Sequence, residues 1–332
     1  MTTRTRRFWL ALGAGLALAS ACALAQAPAT TPAASLGRIQ QAAQLRSYQG
    51  TLMFSSGGVA SSSKVLHIGV GRQQYERIEL LDGRARLQYR HNDEMLTLWP
   101  ASRLARLEPR EPVAEFPALP ASVVSRALEN YVLQTLAPDR VAGHNADVLL
   151  LKPRDPLRYA QRLWADHRTG LLLRNDVLGP DGEVLESSAF TDLQIDGKPS
   201  PEAVLGPMKR LAGLRVLRPR VEPTQVEAEG WQLVRPVPGF GLVSCTKRRL
   251  TEAAEPAESG APVLQSVFSD GLTHVSVFIE RYEAQRHKQA LSTSLGATHT
   301  QMSRHGDWWF TVVGEVPMAT VHQFEAMFER KH

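Results

Sequence analysis

The feature that most constrains the fold is a two-residue alternation of apolar and polar side chains that recurs along most of the chain. Successive side chains of a β-strand point to opposite faces, so this period predicts strands rather than helices. The first run contains Tyr48, Gly50, Leu52 and Phe54, and the next contains Leu66, Ile68 and Val70. Turn-forming pairs such as Asp82-Gly83 and Asn92-Asp93 separate later runs. Because such turns join antiparallel neighbours, we predict a long antiparallel meander.

Helical spacing interrupts this alternation at two places. Ser35 is predicted to cap a short helix, and a second helix is predicted after a proline-rich extended crossing at residues 112–120. The apolar residues at helical spacing are Leu36, Ile39 and Ala43 in the first helix and Val124, Ala127, Leu128 and Tyr131 in the second. Strands are expected to resume from Ala146.

A change of composition divides the chain into two parts. Residues 206–225 are rich in proline and glycine, and the stretch 209–220 has five basic residues and no acidic one. We interpret 206–225 as a linker between an N-terminal domain at 36–205 and a C-terminal domain at 226–332. The second part alternates like the first and ends in a helix after Pro317. The expected fold class is therefore α+β, with a large antiparallel sheet followed by a smaller α+β domain.

The N-terminus has the organisation of a secretory signal. Three arginines precede an apolar stretch at residues 8–19 and small residues that end at Ala25, so we predict a signal peptide at 1–25 and a periplasmic location. Two readings remain as alternatives, a lipoprotein site at Cys22 and a twin-arginine signal at Arg6-Arg7. The formal charge is +5, and without the three arginines 35 basic residues face 33 acidic ones. This balance does not predict a nucleic-acid partner. If Cys22 is removed, Cys245 is alone and is expected to pack in a strand.

Motifs of catalysis and cofactor binding are absent from the sequence. It has no H-E-x-x-H, C-x-x-C, G-x-S-x-G, P-loop or strand-linked G-x-G-x-x-G, and its ten histidines share no metal-ligand spacing. We therefore expect no enzyme activity, no metal and no cofactor.

Two features predict binding. A curved sheet with a helix against it would leave an apolar pocket for acyl chains, although a filled core explains the same pattern. The pocket candidates are Phe54, Tyr75, Tyr89, Trp99, Tyr131 and Trp164. The basic linker would bind phosphate groups or an acidic partner, although a solvated linker is the alternative. Its candidates are Lys209, Arg210, Arg215, Arg218 and Arg220.

Short motifs spread over both parts resemble those of the RseB/MucB regulators of the envelope-stress sigma factor. They are Tyr48-Gln49-Gly50, the Leu-Leu-Asp-Gly of 80–83, the strand pair 162–166 and 171–177, the turn and strand of 179–186, the Phe-Ser-Asp-Gly of 268–271 and the Val-Gly-Glu-Val-Pro of 313–317. The resemblance rests on their order and spacing along nearly the whole chain after the N-terminal segment.

This resemblance implies a regulator that acts by binding. It implies an N-terminal lipid-sensing domain similar to the LolA and LppX carriers, with a half-open antiparallel β-barrel or sheet, and a C-terminal domain that binds the anti-sigma factor. The expected partner is the periplasmic domain of a RseA/MucA-type anti-sigma factor, which the regulator protects from proteolysis until lipopolysaccharide or another acylated lipid releases it. The alternative is a periplasmic lipid or lipoprotein carrier. A homo-oligomer is also possible on this reading.

Overall fold

The computed structural model describes residues 31–111, 116–119, 123–249 and 262–331. Within them the helices are α1 (Pro32–Leu45), α2 (Val123–Asn130), α3 (Glu202–Lys209) and α4 (Met318–Ala326). The predicted signal segment with Cys22, and Pro112 and Pro120 of the predicted crossing, lie outside these residues. In the described part, no helix is both long and apolar enough to cross a membrane.

The strands of the first half form one large sheet. They are β1 (Tyr48–Ser56), β2 (Val59–Val70), β3 (Gln73–Leu80), β4 (Leu87–His91), β5 (Glu94–Trp99), β6 (Leu104–Pro109), β7 (Tyr131–Val141), β8 (His144–Pro153), β9 (Ala160–Asp166), β10 (Leu172–Leu178), β11 (Val184–Ile195) and β12 (Arg215–Leu217). The order of these 12 strands is β12-β6-β5-β4-β3-β2-β1-β11-β10-β9-β8-β7. All neighbours are antiparallel except β12 and β6. The sheet keeps two outer strands, so the predicted large, open antiparallel sheet is confirmed.

The second half forms a smaller sheet with one helix against it. Its strands are β13 (Val221–Pro223), β14 (Trp231–Leu233), β15 (Gly241–Arg249), β16 (Pro262–Ser269), β17 (His274–Arg281), β18 (Leu291–Leu295), β19 (Thr298–His305), β20 (Trp308–Gly314) and β21 (Phe328–Arg330). Seven of them are ordered β13-β15-β16-β17-β20-β19-β18, and β14 pairs with β21. A core that includes Phe268, Phe310 and Phe324 joins this sheet to α4. This arrangement confirms the predicted α+β class.

Helix α1 begins earlier than predicted. Thr31 caps it instead of Ser35, because the Thr31 hydroxyl accepts a hydrogen bond from the Ala34 amide at 3.3 Å and Pro32 suits the first turn. Its buried residues, Leu36 and Ile39 among them, pack on the sheet. The end of the helix lies so close to β2 that a Cβ on Gly69 would come within 2.7 Å of the Gln44 carbonyl oxygen. Glycine is therefore required at that contact.

The second predicted helix ends earlier than the helical spacing of its apolar residues predicted. Helix α2 ends at Asn130, whose carbonyl oxygen accepts a hydrogen bond from the Arg154 amide, so the chain has already joined the sheet. Tyr131 consequently opens β7 rather than lying on the helix, and Leu128 is 44% exposed. The prediction that strands resume only at Ala146 was also wrong, since β7 precedes it. Pro138 is tolerated in β7 because this strand is the edge of the sheet.

The predicted linker contains regular structure. Strand β12 pairs parallel to β6 at one edge of the large sheet, and β13 pairs with β15 at one edge of the smaller sheet. A core around Tyr89 and Val204 fixes α3 to the large sheet just before this stretch. Cys245 lies buried in β15, as predicted.

Candidate functional site

The junction between the two sheets is held first by a buried ion pair. Arg158, in the connection between β8 and β9, donates to Asp270 in the turn between β16 and β17 at 2.9 Å, and both side chains are 0% exposed. The same carboxylate accepts from the Tyr131 hydroxyl at 2.8 Å. Burial, with the adjacent Asp270 carboxylate, raises the pKa of Tyr131 well above its usual value. A second Arg158 nitrogen donates to the Pro238 carbonyl at 2.8 Å, so one guanidinium connects several segments.

A second contact joins β11 to the turn between β18 and β19. Oε1 of the buried Glu186 accepts from the amides of Ala297 and Thr298, each at 3.0 Å, and from the Thr298 hydroxyl at 2.9 Å. The Ser56 hydroxyl lies 3.1 Å from the same oxygen. Gly296, with φ at +57°, completes the turn, and a Cβ there would come within 2.2 Å of the Ser56 oxygen. The turn is therefore fitted closely to the end of the large sheet.

A third contact lies at the opposite edge of the smaller sheet. Arg248 on β15 donates to Glu111 at 2.7 Å and to Glu108 at 3.2 Å, and a further bond at 2.8 Å reaches Gln265. Burial raises the pKa of Glu108, and the neighbouring Arg248 opposes that rise. These groups line a cleft of about 280 Å³ between the sheets.

Between these contacts lies a cavity of about 340 Å³. The large sheet supplies its apolar wall, which includes Leu52, Phe54, Val65, Ile78, Leu172 and Val177. Polar groups on the same sheet include Gln161, Asn175 and Glu186, and the smaller sheet contributes Leu272, His274 and Glu315. The buried amide oxygen of Asn175 has no hydrogen-bond partner in the structure.

Glu315 has the most strongly perturbed carboxyl of this cavity. Burial, followed by the charge of Glu186, raises its pKa from 4.5 to about 7. The cavity therefore combines an apolar wall with a carboxyl that is largely protonated below neutral pH. Such a lining suits an uncharged or amphiphilic ligand better than a small anion.

Phe54 is the one pocket candidate from the sequence that lines this cavity. Gln88 and Arg90 face the junction between the two sheets. Because successive side chains of a strand point to opposite faces, Tyr89 lies on the other face of the sheet, where it packs toward α3. Tyr75 packs against the same core and stacks on His91.

The three remaining pocket candidates also lie elsewhere. Trp99 faces the Arg106 guanidinium, and Trp164 is buried in the core and donates to Asp139 at 2.9 Å. Tyr131 is buried and bonded to Asp270, as described above. The structure therefore does not bring the six aromatic side chains together.

The five basic candidates are all exposed and lie along one stretch that runs from the end of α3 through β12 to the start of β13. Arg210 donates to the Gly206 carbonyl at 3.2 Å, and Arg220 pairs with Glu222. Lys209, Arg215 and Arg218 extend from the same stretch. The structure keeps the candidates adjacent, on the segment that connects the two sheets.

Sequence reasoning missed Arg158, Asp270, Glu186 and Glu315 as junction residues. No local spacing links Arg158 to Asp270, because they are 112 residues apart. The other three residues did lie in motifs that the sequence analysis had singled out. Glu186 lies in the motif at 179–186, Asp270 in that at 268–271 and Glu315 in that at 313–317. These motifs carry the polar contacts and the cavity wall of the junction.

Comparison with known proteins yields matches over nearly all of the described chain. A model of the MucB/RseB N-terminal domain matches residues 31–208, and a model of the MucB/RseB C-terminal domain matches 225–329. The sigma factor AlgU regulatory protein MucB of Pseudomonas aeruginosa is 30% identical over 299 residues, which cover 87% of each chain. The sigma-E factor regulatory protein RseB of Escherichia coli K12 is 24% identical over 319 residues, which cover 95% of each chain.

Solved structures give the same result. The crystal structure of MucB in complex with MucA(peri) is similar with a TM-score of 0.65 and 26% identity, over 91% of this chain and 100% of that chain. The similarity includes both sheets.

Proposed function

The chain belongs to the MucB/RseB family of sigma-factor regulatory proteins, and on this basis we propose that it binds the periplasmic segment of a MucA/RseA-type anti-sigma factor. The observation that carries the proposal is the similarity of both sheets to MucB in its complex with MucA(peri). By holding this segment, the protein protects the anti-sigma factor from regulated proteolysis and keeps the envelope-stress sigma factor inactive. It acts in the periplasm, after removal of its N-terminal segment, and catalyses no reaction.

We place part of the partner interface on the exposed basic stretch. Lys209, Arg210, Arg215 and Arg218 lie where α3 and β12 lead toward the smaller sheet, and residues 209–220 contain no acidic side chain. Exposed cations attract an acidic segment over several ångströms and accelerate its encounter. This stretch also borders the connection between the sheets, so a partner bound there is sensitive to the arrangement of the junction.

The cavity supplies the proposed response to lipid. Its apolar wall suits an acyl chain, and its polar end at Asn175 and Glu315 suits hydroxyl or amide groups near that chain. A ligand releases a partner only when it binds the free and partner-bound forms with different affinities. Because the cavity has walls from both sheets, occupancy changes how the sheets fit together, which gives the required difference.

A titration tests the partner assignment. The purified protein is added to a labelled periplasmic segment of the anti-sigma factor from the same genome, and anisotropy is measured at low and moderate salt. We expect saturable binding that weakens about tenfold in the double variant Arg215→Glu and Arg218→Glu. The matched control, Arg84→Glu with Arg86→Glu, makes the same charge change in the exposed turn between β3 and β4. Equal loss in both double variants would contradict the assigned surface.

A lipid or lipoprotein carrier is the second candidate, and the apolar wall of the cavity is the observation that favours it. A carrier moves lipid from donor to acceptor membranes, whereas a sensor only has to bind it. Transfer of a labelled acyl lipid between two vesicle populations, accelerated by the protein in the absence of any anti-sigma segment, would support the carrier.

A further inference from the structure

The cavity between the two sheets has a one-sided set of charged groups. Its described lining includes no lysine and no arginine, and its titratable side chains are Glu186, Glu315 and His274. The two carboxyl groups come from different sheets, Glu186 from β11 of the large sheet and Glu315 from the segment that follows β20 of the smaller one. The residues that β1, β2, β3, β4, β9 and β10 contribute are all uncharged. A ligand in this cavity therefore meets two acidic groups and one histidine.

Glu186 uses only one of its carboxylate oxygens to hold the smaller sheet. Oε1 accepts from the Ser56 hydroxyl, from the Ala297 amide, and from the amide and hydroxyl of Thr298. Within the residues that the structure describes, no hydrogen bond is made to Oε2. The side chain is 4% exposed, and it lines the cavity. Its second oxygen is therefore left for a donor inside the cavity.

The Glu315 carboxyl has no protein partner in the described part of the chain. The backbone carbonyl of Glu315 accepts from the Thr273 hydroxyl at 3.2 Å, but no hydrogen bond or ion pair to a described residue reaches the carboxyl. A carboxyl that is removed from water is stabilised either by a bound proton or by a cation beside it. The raised pKa of this group shows the first of these two states. An ammonium group that reaches the carboxyl would supply the second.

The apolar part of the lining indicates what should carry this ammonium group. Leu52, Val65, Ile78, Leu172 and Val177 line the same cavity. Aliphatic walls stabilise a hydrocarbon chain by removing it from water, and they offer nothing to replace the hydration of a small ion. The volume of about 340 Å³ lies within the range of roughly 300–1,000 Å³ that is usual for small-molecule sites. The lining therefore suits an amphiphile better than a free amine.

We propose that the cavity is selective for amphiphiles that carry a protonated primary amine, with the ammonium group between Glu186 and Glu315 and the hydrocarbon chain on the apolar wall. An ammonium group has three N–H donors, which is enough to reach both carboxylates. A fatty acid of the same chain length is disfavoured, because its carboxylate meets two acidic groups. This inference deepens the proposed response to lipid, and it rests on that proposal for the use of the cavity as a lipid site.

Calorimetric titration of the purified protein with decylamine, decanol and decanoate, each below its micelle concentration, tests the selectivity. At pH 8 we expect decylamine to bind at one site, about tenfold more tightly than decanol, and decanoate to bind most weakly. Decylamine should also bind about five- to tenfold more tightly at pH 8 than at pH 5.5. The reason is that a cation lowers the pKa of a neighbouring carboxyl by about one unit or more, and each unit is a tenfold change in affinity. The amine itself stays protonated at both pH values, since alkylammonium groups titrate near about 10.4.

Glu315→Gln is the test variant. It should weaken decylamine binding about tenfold at pH 8 and remove its dependence on pH. Glu183→Gln makes the same chemical change at an exposed position that does not line the cavity, and it should behave as wild type. Butylamine should bind at least about a hundredfold more weakly than decylamine, because a short chain covers little of the apolar wall.

The possible failures separate the selectivity from the lipid site itself. If decanol or decanoate binds as tightly as decylamine at pH 8, the amine selectivity is wrong and the cavity remains a lipid site. Equal binding of butylamine, or an unchanged pH dependence in folded Glu315→Gln, also overturns the inference. If a folded protein binds none of the three longer probes, both this inference and the proposed response to lipid are wrong. The titration with the anti-sigma segment tests the partner assignment independently of these results.

Discussion

Replacement of Glu315 by glutamine is predicted to stabilise the protein at alkaline pH and to leave its stability almost unchanged at acid pH. The Glu315 carboxyl has a pKa of about 7 in the folded protein, because burial and then Glu186 disfavour its charge. In the unfolded chain it titrates near the ordinary value of 4.5. The folded state therefore holds this proton more tightly than the unfolded state.

The sign and size of the effect follow from this difference. Below pH 4.5 the carboxyl is protonated in both states and contributes no penalty. As the pH rises from 4.5 to about 7, the unfolded state ionises first, and the wild-type protein loses stability. At 1.36 kcal/mol for each pKa unit, the loss above pH 7 is up to about 3 kcal/mol. Glutamine has the same shape and no charge, so Glu315→Gln removes this loss.

Urea denaturation at pH 4.5 and at pH 8 measures the effect as the difference in unfolding free energy between variant and wild type. We expect this difference to grow by about 2–3 kcal/mol in favour of the variant between the two pH values, with equal m-values. Glu94→Gln, which removes an exposed carboxylate, is the control and should show no such change. A difference for Glu315→Gln that is the same at both pH values would contradict the raised pKa of Glu315 in the folded protein.

The other predictions concern the junction. Asp270→Ala removes one of the two carboxylates that the buried Arg158 contacts, since Asp155 still accepts from Arg158 at 3.0 Å, and it leaves the Tyr131 hydroxyl without its acceptor. We expect the unfolding free energy to fall by about 3 kcal/mol, measured by urea denaturation. Glu186→Ala removes the acceptor of two backbone amides and should cost about 3 kcal/mol in the same assay, whereas a cost below 1 kcal/mol would contradict the role of this contact. Ser188→Phe places a ring in the cavity and should reduce the binding of an acyl probe. Undiminished probe binding by the folded variant would contradict the assignment of this cavity as the lipid site.

Local turn chemistry was enough to predict two consecutive hairpins of the large sheet. Asp82-Gly83 and Asn92-Asp93 lie between β3, β4 and β5, and the pairing of these strands confirms both hairpins. Strand β18 could not be predicted in this way, because its Ser and Thr residues show no apolar alternation. Tyr131 was misplaced because a helical spacing continued by chance past the point where the backbone joins the sheet.

The site was less predictable than the fold. The pocket candidates were chosen as large aromatic residues, but large aromatics fill cores, and Tyr131 and Trp164 do so here. Apart from Phe54 and Phe116, the cavity is lined by aliphatic and polar residues where the two sheets meet. Their positions depend on how the sheets dock, which is a long-range property that no local pattern encodes. The motifs that resembled the family were more informative, since they contain Asp270, Glu186 and Glu315.

We propose that this protein binds an anti-sigma segment and releases it when lipid binds. The most direct test is calorimetric titration of the purified protein with the periplasmic segment of the anti-sigma factor from the same genome, repeated after addition of lipopolysaccharide. We expect saturable binding without lipopolysaccharide and a loss of at least about tenfold in affinity with it. Absence of binding by a folded protein that still takes up an acyl probe would contradict the regulator and favour the carrier.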